Sequence, residues 1–314
     1  MASIELIKQL RALTNAGMSD CKSALDESQD DLEKAVDIIK VRGQAISDSR
    51  SAKVAAEGRV ALSGGTPHGL LVMVEVNCQT DFVAGNDAFI DFADGVANSF
   101  YDAMKAGTTF STASPLTKGC PFSSPDVEGA RKEVIAITKE NVIVRRWWAE
   151  EAQHPAVRVF GYLHSNDKIG VLLTMQAPSE AAAESPEFNE LGSDLAMQVC
   201  AMNPLGISAD RIPAEEVERQ RAIFETQLKE DVKPKPVAMW PKIIEGKFRK
   251  WNAEVCLLEQ ESVLVPKTTV SQVINRVGAK LGGDITVINF VRCQVGEGIE
   301  VHKDNLAEEV SKLM

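Results

Sequence analysis

Chemistry needs a nucleophile, a general base, a metal cluster or a phosphate loop, and the residues that could supply these are few and scattered. The four histidines, His68, His154, His164 and His302, share no HxxxH or HExxH spacing, so no metal motif is present. His68 and His164 fall in turns between apolar runs, where a solvated imidazole is the plain expectation. The six cysteines, Cys21, Cys78, Cys120, Cys200, Cys256 and Cys293, stand singly, with no CxxC pair. Cys78 follows an apolar run and is the thiol to weigh as a nucleophile, although no histidine is tied to it by sequence. Gly64-Gly65, Gly282-Gly283 and Gly296-Glu-Gly298 fit tight turns and lie in neither a GxxxxGK[ST] nor a strand-GxGxxG-helix context. The basic run 242–250, interleaved with Phe248 and followed by Trp251, has some look of an RNA-binding face. The segment before it carries Glu215, Glu216, Glu218, Glu225 and Glu230, and salt bridges within a helical hairpin account for the charges better. No catalytic group, metal or cofactor is therefore expected.

One segment stands apart. In Asn77-Cys-Gln-Thr-Asp-Phe-Val-Ala84 an apolar strand runs into a polar turn that carries a phenylalanine. Composition alone favours Phe82 as a core residue, with Thr80 or Asp81 capping the next helix; a recognition turn is the other reading, and the pattern does not choose between them.

The elements that must position this turn follow from composition and periodicity. At roughly 150 residues per domain, a chain of 314 residues suggests about two compact units. With 44% hydrophobic and 25% charged residues it has the material for a core. Its 34 Lys plus Arg against 45 Asp plus Glu leave a net charge of -11, which disfavours direct binding to nucleic acid or anionic lipid. The longest strongly apolar run, 70–74, is far short of the ~20 residues that span a bilayer. The first ten residues lack a signal-peptide pattern. A soluble, cytoplasmic, reduced protein with no membrane contact is the expectation.

Ile4, Ile7 and Leu10 share a helical face that should end at Asn15-Ala16-Gly17. Ser19 is the expected N-cap of a second helix, and Leu32, Ala35, Val36 and Ile39 predict a third that stops near Gly43. Residues 47–57 read as linker. Strands are predicted over 58–62 and 70–76, and a helix over 88–104 with Phe89, Phe92, Ala93, Val96 and Phe100 on one face. A long loop over 106–125 and a helix over 127–139 follow. A second hairpin over 158–163 and 169–175 repeats the first, each returning strand led by a glycine, Gly69 and Gly170. Helices are expected over 187–202, 214–230 and up to about 251, the last two forming an antiparallel hairpin across the turn 231–236. Pro241 should kink the second of these or delay its start. Strands over 253–265 and 284–295, a helix over 270–280 between them and a terminal helix over 303–314 complete the pattern.

With these residues in view, the chain resembles the bacterial elongation factor Ts family, the guanine-nucleotide exchange factors of elongation factor Tu. The most specific stretch is Glu75-Val-Asn-Cys-Gln-Thr-Asp-Phe-Val-Ala84, joined by Leu10-Arg-x-x-Thr14-x-Ala-Gly-Met18-x-Asp-Cys-Lys22-x-Ala-Leu25. Tyr162-Leu-His164, Ile169-Gly-Val-Leu172, Ile244-Glu-Gly-Lys247, Glu254-Val-Cys-Leu-Leu-Glu259 and Val295-Gly-Glu-Gly-Ile299 follow in order. Asn15, where the family usually has glycine, and the Ser/Pro-rich stretch 108–125 depart from the pattern.

The resemblance implies an α+β fold: a three-helix module of ubiquitin-associated type (1–45), a linker (46–57) and two related α/β core subdomains with antiparallel sheets. These are 58–145 and, together, 146–213 with 252–295. A protruding antiparallel helical hairpin (214–251) and a C-terminal helical module (296–314) complete it. It also implies a site without catalysis or cofactor. Thr80, Asp81, Phe82 and Val83 would contact the G domain of elongation factor Tu, with Phe82 entering near its magnesium and phosphate sites. Met18 would dock on the same domain and His164 on another, and a homodimer or two-plus-two complex is compatible with this. The readings from other classes are a thiol-dependent enzyme using Cys78 and a passive ubiquitin-associated-type scaffold.

Overall fold

The computed structural model describes residues 3–14, 16–50, 53–65, 69–107, 125–164, 166–230 and 236–300, with the backbone alone for 43–50 and 125. Its first three helices are α1 (Ile4–Thr14), α2 (Met18–Ser28) and α3 (Leu32–Arg50). They close on Leu10, Cys21, Ala24, Leu25 and Ala35, all shielded from solvent. Two expectations fail here. Gly17, in extended conformation, rather than Ser19, is the N-cap of α2, and α3 runs through Gly43 to Arg50. An interior glycine weakens a helix by about 1 kcal/mol but does not stop it when good helix formers follow. The helix therefore crosses the boundary expected between residues 45 and 46 and takes up part of the expected linker.

Strands β1 (Glu57–Gly64) and β2 (Leu70–Cys78) form the first hairpin, and α4 (Asp81–Ala84), α5 (Asp87–Lys105) and α6 (Pro125–Thr138) follow. Strand β3 (Ile143–Glu151) then pairs antiparallel with β2, giving the sheet order β1-β2-β3. This strand was not anticipated, and the boundary expected between residues 145 and 146 falls inside it. Its Arg145-Arg146-Trp147-Trp148 run hides the alternation, because a bulge opposite Glu75 and Val76 shifts the register. The second sheet is β4 (Val157–Leu163), β5 (Ile169–Gln176) and β6 (Thr286–Gln294), antiparallel in that order. Helices α7 (Glu180–Ala183), α8 (Pro186–Met202), α9 (Ala214–Lys229), α10 (Trp240–Val255) and α11 (Val270–Leu281) lie between β5 and β6 in the chain.

Side-chain alternation builds four layers. Along β2, Val72, Val74, Val76 and Cys78 point towards α5 and α6, packing with Phe89, Phe100 and Ile135. The alternate residues Leu71 and Met73 point the other way, against Val159 and Leu172 of the second sheet. On β5, Val171, Leu173 and Met175 face α8 and α11. The two sheets thus pack face to face between helical layers, and β2 is buried on both sides. Gly170 makes this possible: a Cβ there would lie 2.6 Å from Val60 and 2.7 Å from the Met73 sulfur.

The expected strand over 253–265 is absent. Helix α10 continues to Val255, and the chain then forms only isolated bridges, Gly206 with Cys256 and Glu261 with Thr269. Side-chain amides take the place of ladder partners: Gln198 donates to the Glu261 carbonyl and accepts from the Val263 amide, while Gln260 donates to the Glu254 carbonyl. Pro241 lies in the first turn of α10, where its missing N–H is harmless, so the late start is the outcome rather than a kink. In the α9/α10 hairpin, Phe224, Leu228 and Ile244 are buried, and Trp240 and Trp251 pack on them half-buried. Arg219 pairs with Glu216 and Arg249 with Glu245 within their own helices, while Arg221 and Lys247 reach across to the faces of Phe248 and Phe224. The loop over 106–125, the turn 231–236 and the helix expected over 303–314 fall largely or wholly outside the described residues, as do Asn15, His68 and Cys120.

Candidate partner-binding turn

The turn 79–83 begins where β2 leaves the sheet. Cys78 is buried under the first helical layer, and its thiol donates to the Thr80 carbonyl at 3.2 Å. Thr80, in extended conformation, is the N-cap of α4: its hydroxyl oxygen accepts from the Val83 amide at 3.3 Å. The Asp81 carboxylate accepts from the Phe82 amide at 3.0 Å. Val83 packs on the first core and Ala84 is buried, anchoring the turn from below. Asn86 caps α5 directly afterwards by accepting from the Ala88 amide.

Phe82 is the outcome composition argued against. The residue is 87% exposed, while its amide and that of Val83 are hydrogen-bonded within the turn. Burying a phenylalanine is worth roughly 1.5 to 3 kcal/mol, and this one remains exposed on a hydrogen-bonded turn. Thr80 is the cap, so that half of the expectation holds and Asp81 is left with its own local bond.

A residue that sequence reasoning missed holds the turn from outside. Glu140, in the connection between α6 and β3, accepts from the amides of Gln79 and Thr80, both at 3.0 Å, and from the Thr80 hydroxyl at 2.7 Å. The pair is 60 residues apart in sequence, so no local spacing could have signalled it. Its neighbour Lys139 reaches Asp20 of α2 at 3.2 Å, which brings the start of that helix to the same side of the molecule. Met18, the first residue of α2, is 56% exposed there. His164 sits elsewhere, exposed in the turn between β4 and β5 and hydrogen-bonded to the Tyr162 hydroxyl at 3.2 Å. That turn is held to the start of β1 by the Arg59–Asp167 and Lys168–Glu57 ion pairs, both 2.6 Å.

The Cys78 thiol is no candidate nucleophile. Burial, then the nearby Glu140 carboxylate, push its pKa up to about 12, so at neutral pH it carries its proton. Among the described residues no group of three or more His, Cys, Asp or Glu side chains is placed to hold a metal ion. None of the described helices is long and apolar enough to cross a membrane.

A hydrogen-bonded turn presenting an exposed aromatic residue on a two-sheet α+β scaffold defines a candidate site for contact with another protein. Comparison with known proteins then names the lineage. Residues 79–297 match the family model described as elongation factor TS. Among similar proteins, the elongation factor Ts of Symbiobacterium thermophilum is 38% identical over 98% of this chain and 96% of its own length. That of Nostoc sp. is 37% identical over 99% and 98%, and that of Agrobacterium fabrum 36% over 98% and 96%. The chain belongs to the elongation factor Ts family.

Proposed function

We propose that this chain, as a member of that family, is the guanine-nucleotide exchange factor of elongation factor Tu in translation elongation, and that Thr80, Asp81, Phe82 and Val83 are the turn that drives GDP out. The observation that carries the reading is the exposure of Phe82 on a backbone held by Thr80, Cys78 and Glu140. Exchange needs no bond chemistry in the factor; it needs tighter binding to the nucleotide-free partner than to the GDP-bound one. By linkage the factor weakens GDP as much as GDP weakens the factor, so a ~1,000-fold effect corresponds to about 4 kcal/mol of differential contact. A phenylalanine entering a pocket that opens only when the partner's helices leave the magnesium and phosphate sites supplies a large part of it. Met18, with the three-helix module, adds docking on the same domain, and His164 meets another domain of the partner. The division into modules, a cytoplasmic location and a homodimeric or two-plus-two assembly belong to the same proposal.

The test is release of a fluorescent GDP analogue from elongation factor Tu in stopped flow. Acceleration by substoichiometric factor supports the reading, and an unchanged rate with the two proteins shown to bind overturns it. The thiol-enzyme alternative makes an opposite demand. We expect Cys78→Ala to retain stimulated release within about twofold, because a buried thiol that keeps its proton does no bond chemistry and its weak sulfur hydrogen bond to the Thr80 carbonyl is backed by the three bonds from Glu140; loss of release in a folded variant would restore a role for the sulfur. The scaffold alternative placed all function in residues 1–45, whereas the family model matches residues 79–297 and the relatives extend over nearly the whole chain.

A further inference from the structure

We propose that Glu140 is the positioning residue of the exchange turn: it acts through Thr80 to hold Phe82 in the orientation that enters the partner. The proposal rests on the reading of that turn given above. Three donors converge on one carboxylate, the amides of Gln79 and Thr80 on one oxygen and the Thr80 hydroxyl on the other. Hydrogen bonds to an ionised acceptor are about twice as strong as neutral ones. The hydroxyl that donates to Glu140 also accepts from the Val83 amide, and with one proton and two lone pairs it does both at once, so the bond to Glu140 fixes the rotamer from which Thr80 caps α4. Glu140 therefore sets the hydroxyl's direction, the hydroxyl sets the first turn of α4, and Phe82 is the second residue of that turn.

Glu140 is itself held. Helix α6 ends with the Lys139 amide donating to the Ile135 carbonyl, and Lys139 adopts the left-handed conformation, φ 60°, that turns the chain towards the strand. Asn141, buried on the other side, donates to the Lys53 carbonyl at 2.8 Å. Three consecutive residues thus contact three separate pieces of the chain: Lys139 the second helix, Glu140 the exchange turn, Asn141 the segment leading into β1. A side chain that served only to close the α6–β3 connection would have no need to gather three donors of a turn 60 residues away.

The experiment is a double-mutant cycle between positions 140 and 82, read by GDP release from elongation factor Tu at saturating factor, alongside thermal melting. Glu140→Gln keeps the size but can satisfy at most two of the three donors. It is expected to lower the maximal release rate by roughly tenfold, with the half-saturating concentration changed far less, because the remaining contact surface is intact. In the Phe82→Ala background the same substitution should change the rate by less than about twofold, since the group it positions is gone. Thr80→Val, which removes the intermediate hydroxyl, should reproduce the loss, and Thr80→Ser, which keeps it, should release GDP several-fold faster than Thr80→Val. Should Glu140→Gln prove unstable, Glu140→Asp, which keeps the charge but shortens the reach, takes its place in the cycle with the same expected outcomes. Effects of Glu140→Gln that multiply with those of Phe82→Ala would overturn the proposal, as would equal rates for Thr80→Val and wild type. A slowed Phe82→Ala beside an unimpaired Glu140→Gln overturns this proposal alone, whereas an unimpaired Phe82→Ala overturns the reading of the turn beneath it.

Discussion

Phe82→Ala is expected to slow stimulated GDP release by at least tenfold while leaving the melting temperature nearly unchanged. The two halves come from one fact. The ring is 87% exposed in the free protein, so its removal forfeits almost no folding energy. In a complex that buries it, the same ring is worth roughly 1.5 to 3 kcal/mol, and each 1.36 kcal/mol taken from a barrier is about tenfold in rate. The backbone bonds of Thr80, Cys78 and Glu140 do not involve the ring and survive the substitution. Stopped-flow release and a thermal melt on one preparation check both halves. A variant that unfolds would place Phe82 in the core, and one that exchanges normally would move the site elsewhere.

The second large effect is on stability and lies between the sheets. Glu75 is completely buried, and the β3 bulge brings both Arg145 and Arg146 onto it, at 3.0 and 2.5 Å. The Gly296 amide donates to it at 2.8 Å and the Asn77 side chain at 3.1 Å. Burial by itself would push its pKa up, yet the Gly296 amide and the Arg146 guanidinium together hold the carboxyl below its ordinary value. Glu75→Gln leaves the two guanidiniums without their common counter-ion and should destabilise the fold by about 3 kcal/mol, lowering the melting temperature by on the order of 6–12 °C. The sign with pH follows from the lowered value. The Glu75 contribution is complete above about pH 5, where the group is ionised even in the unfolded chain, and disappears as pH falls through the folded value. Melting curves of wild type and Glu75→Gln should therefore converge in acid. A gap independent of pH would mean that packing, rather than charge, holds this junction.

Much of this was legible locally. The 3.6-residue spacing of Phe89, Phe92, Val96 and Phe100 predicts α5 because a helix must turn those rings to one side. The glycine-led returning strands predict both hairpins, and the motif around Phe82 points by resemblance to the turn proposed for recognition. The errors differ in cause. Ser19 lost the cap to Gly17 and Gly43 failed to stop α3, both within local preferences worth about 1 kcal/mol or less. The apolar run around Leu257 and Leu258 read as a strand, but its amides donate instead to the distant carbonyls of Gly206 and Ile207. Strand β3 was missed because its two arginines, which break the hydrophobic alternation, answer a carboxylate about 70 residues earlier.

The sequence by itself determined the inventory: helices and hairpins from periodicity, the family resemblance from ordered motifs and, through that resemblance alone, a candidate recognition turn at 80–83. Only the tertiary structure decided the state of each group in that inventory. It left Phe82 bare, made the Cys78 thiol inert by enclosing it, set Gly170 where two sheets touch, and brought Glu140 to Thr80. Periodicity records which side of its own element a residue faces, and therefore carries over into local structure. Exposure, protonation and hydrogen-bond partners depend on which other elements arrive at that side, and residues 60 or more positions away supply them.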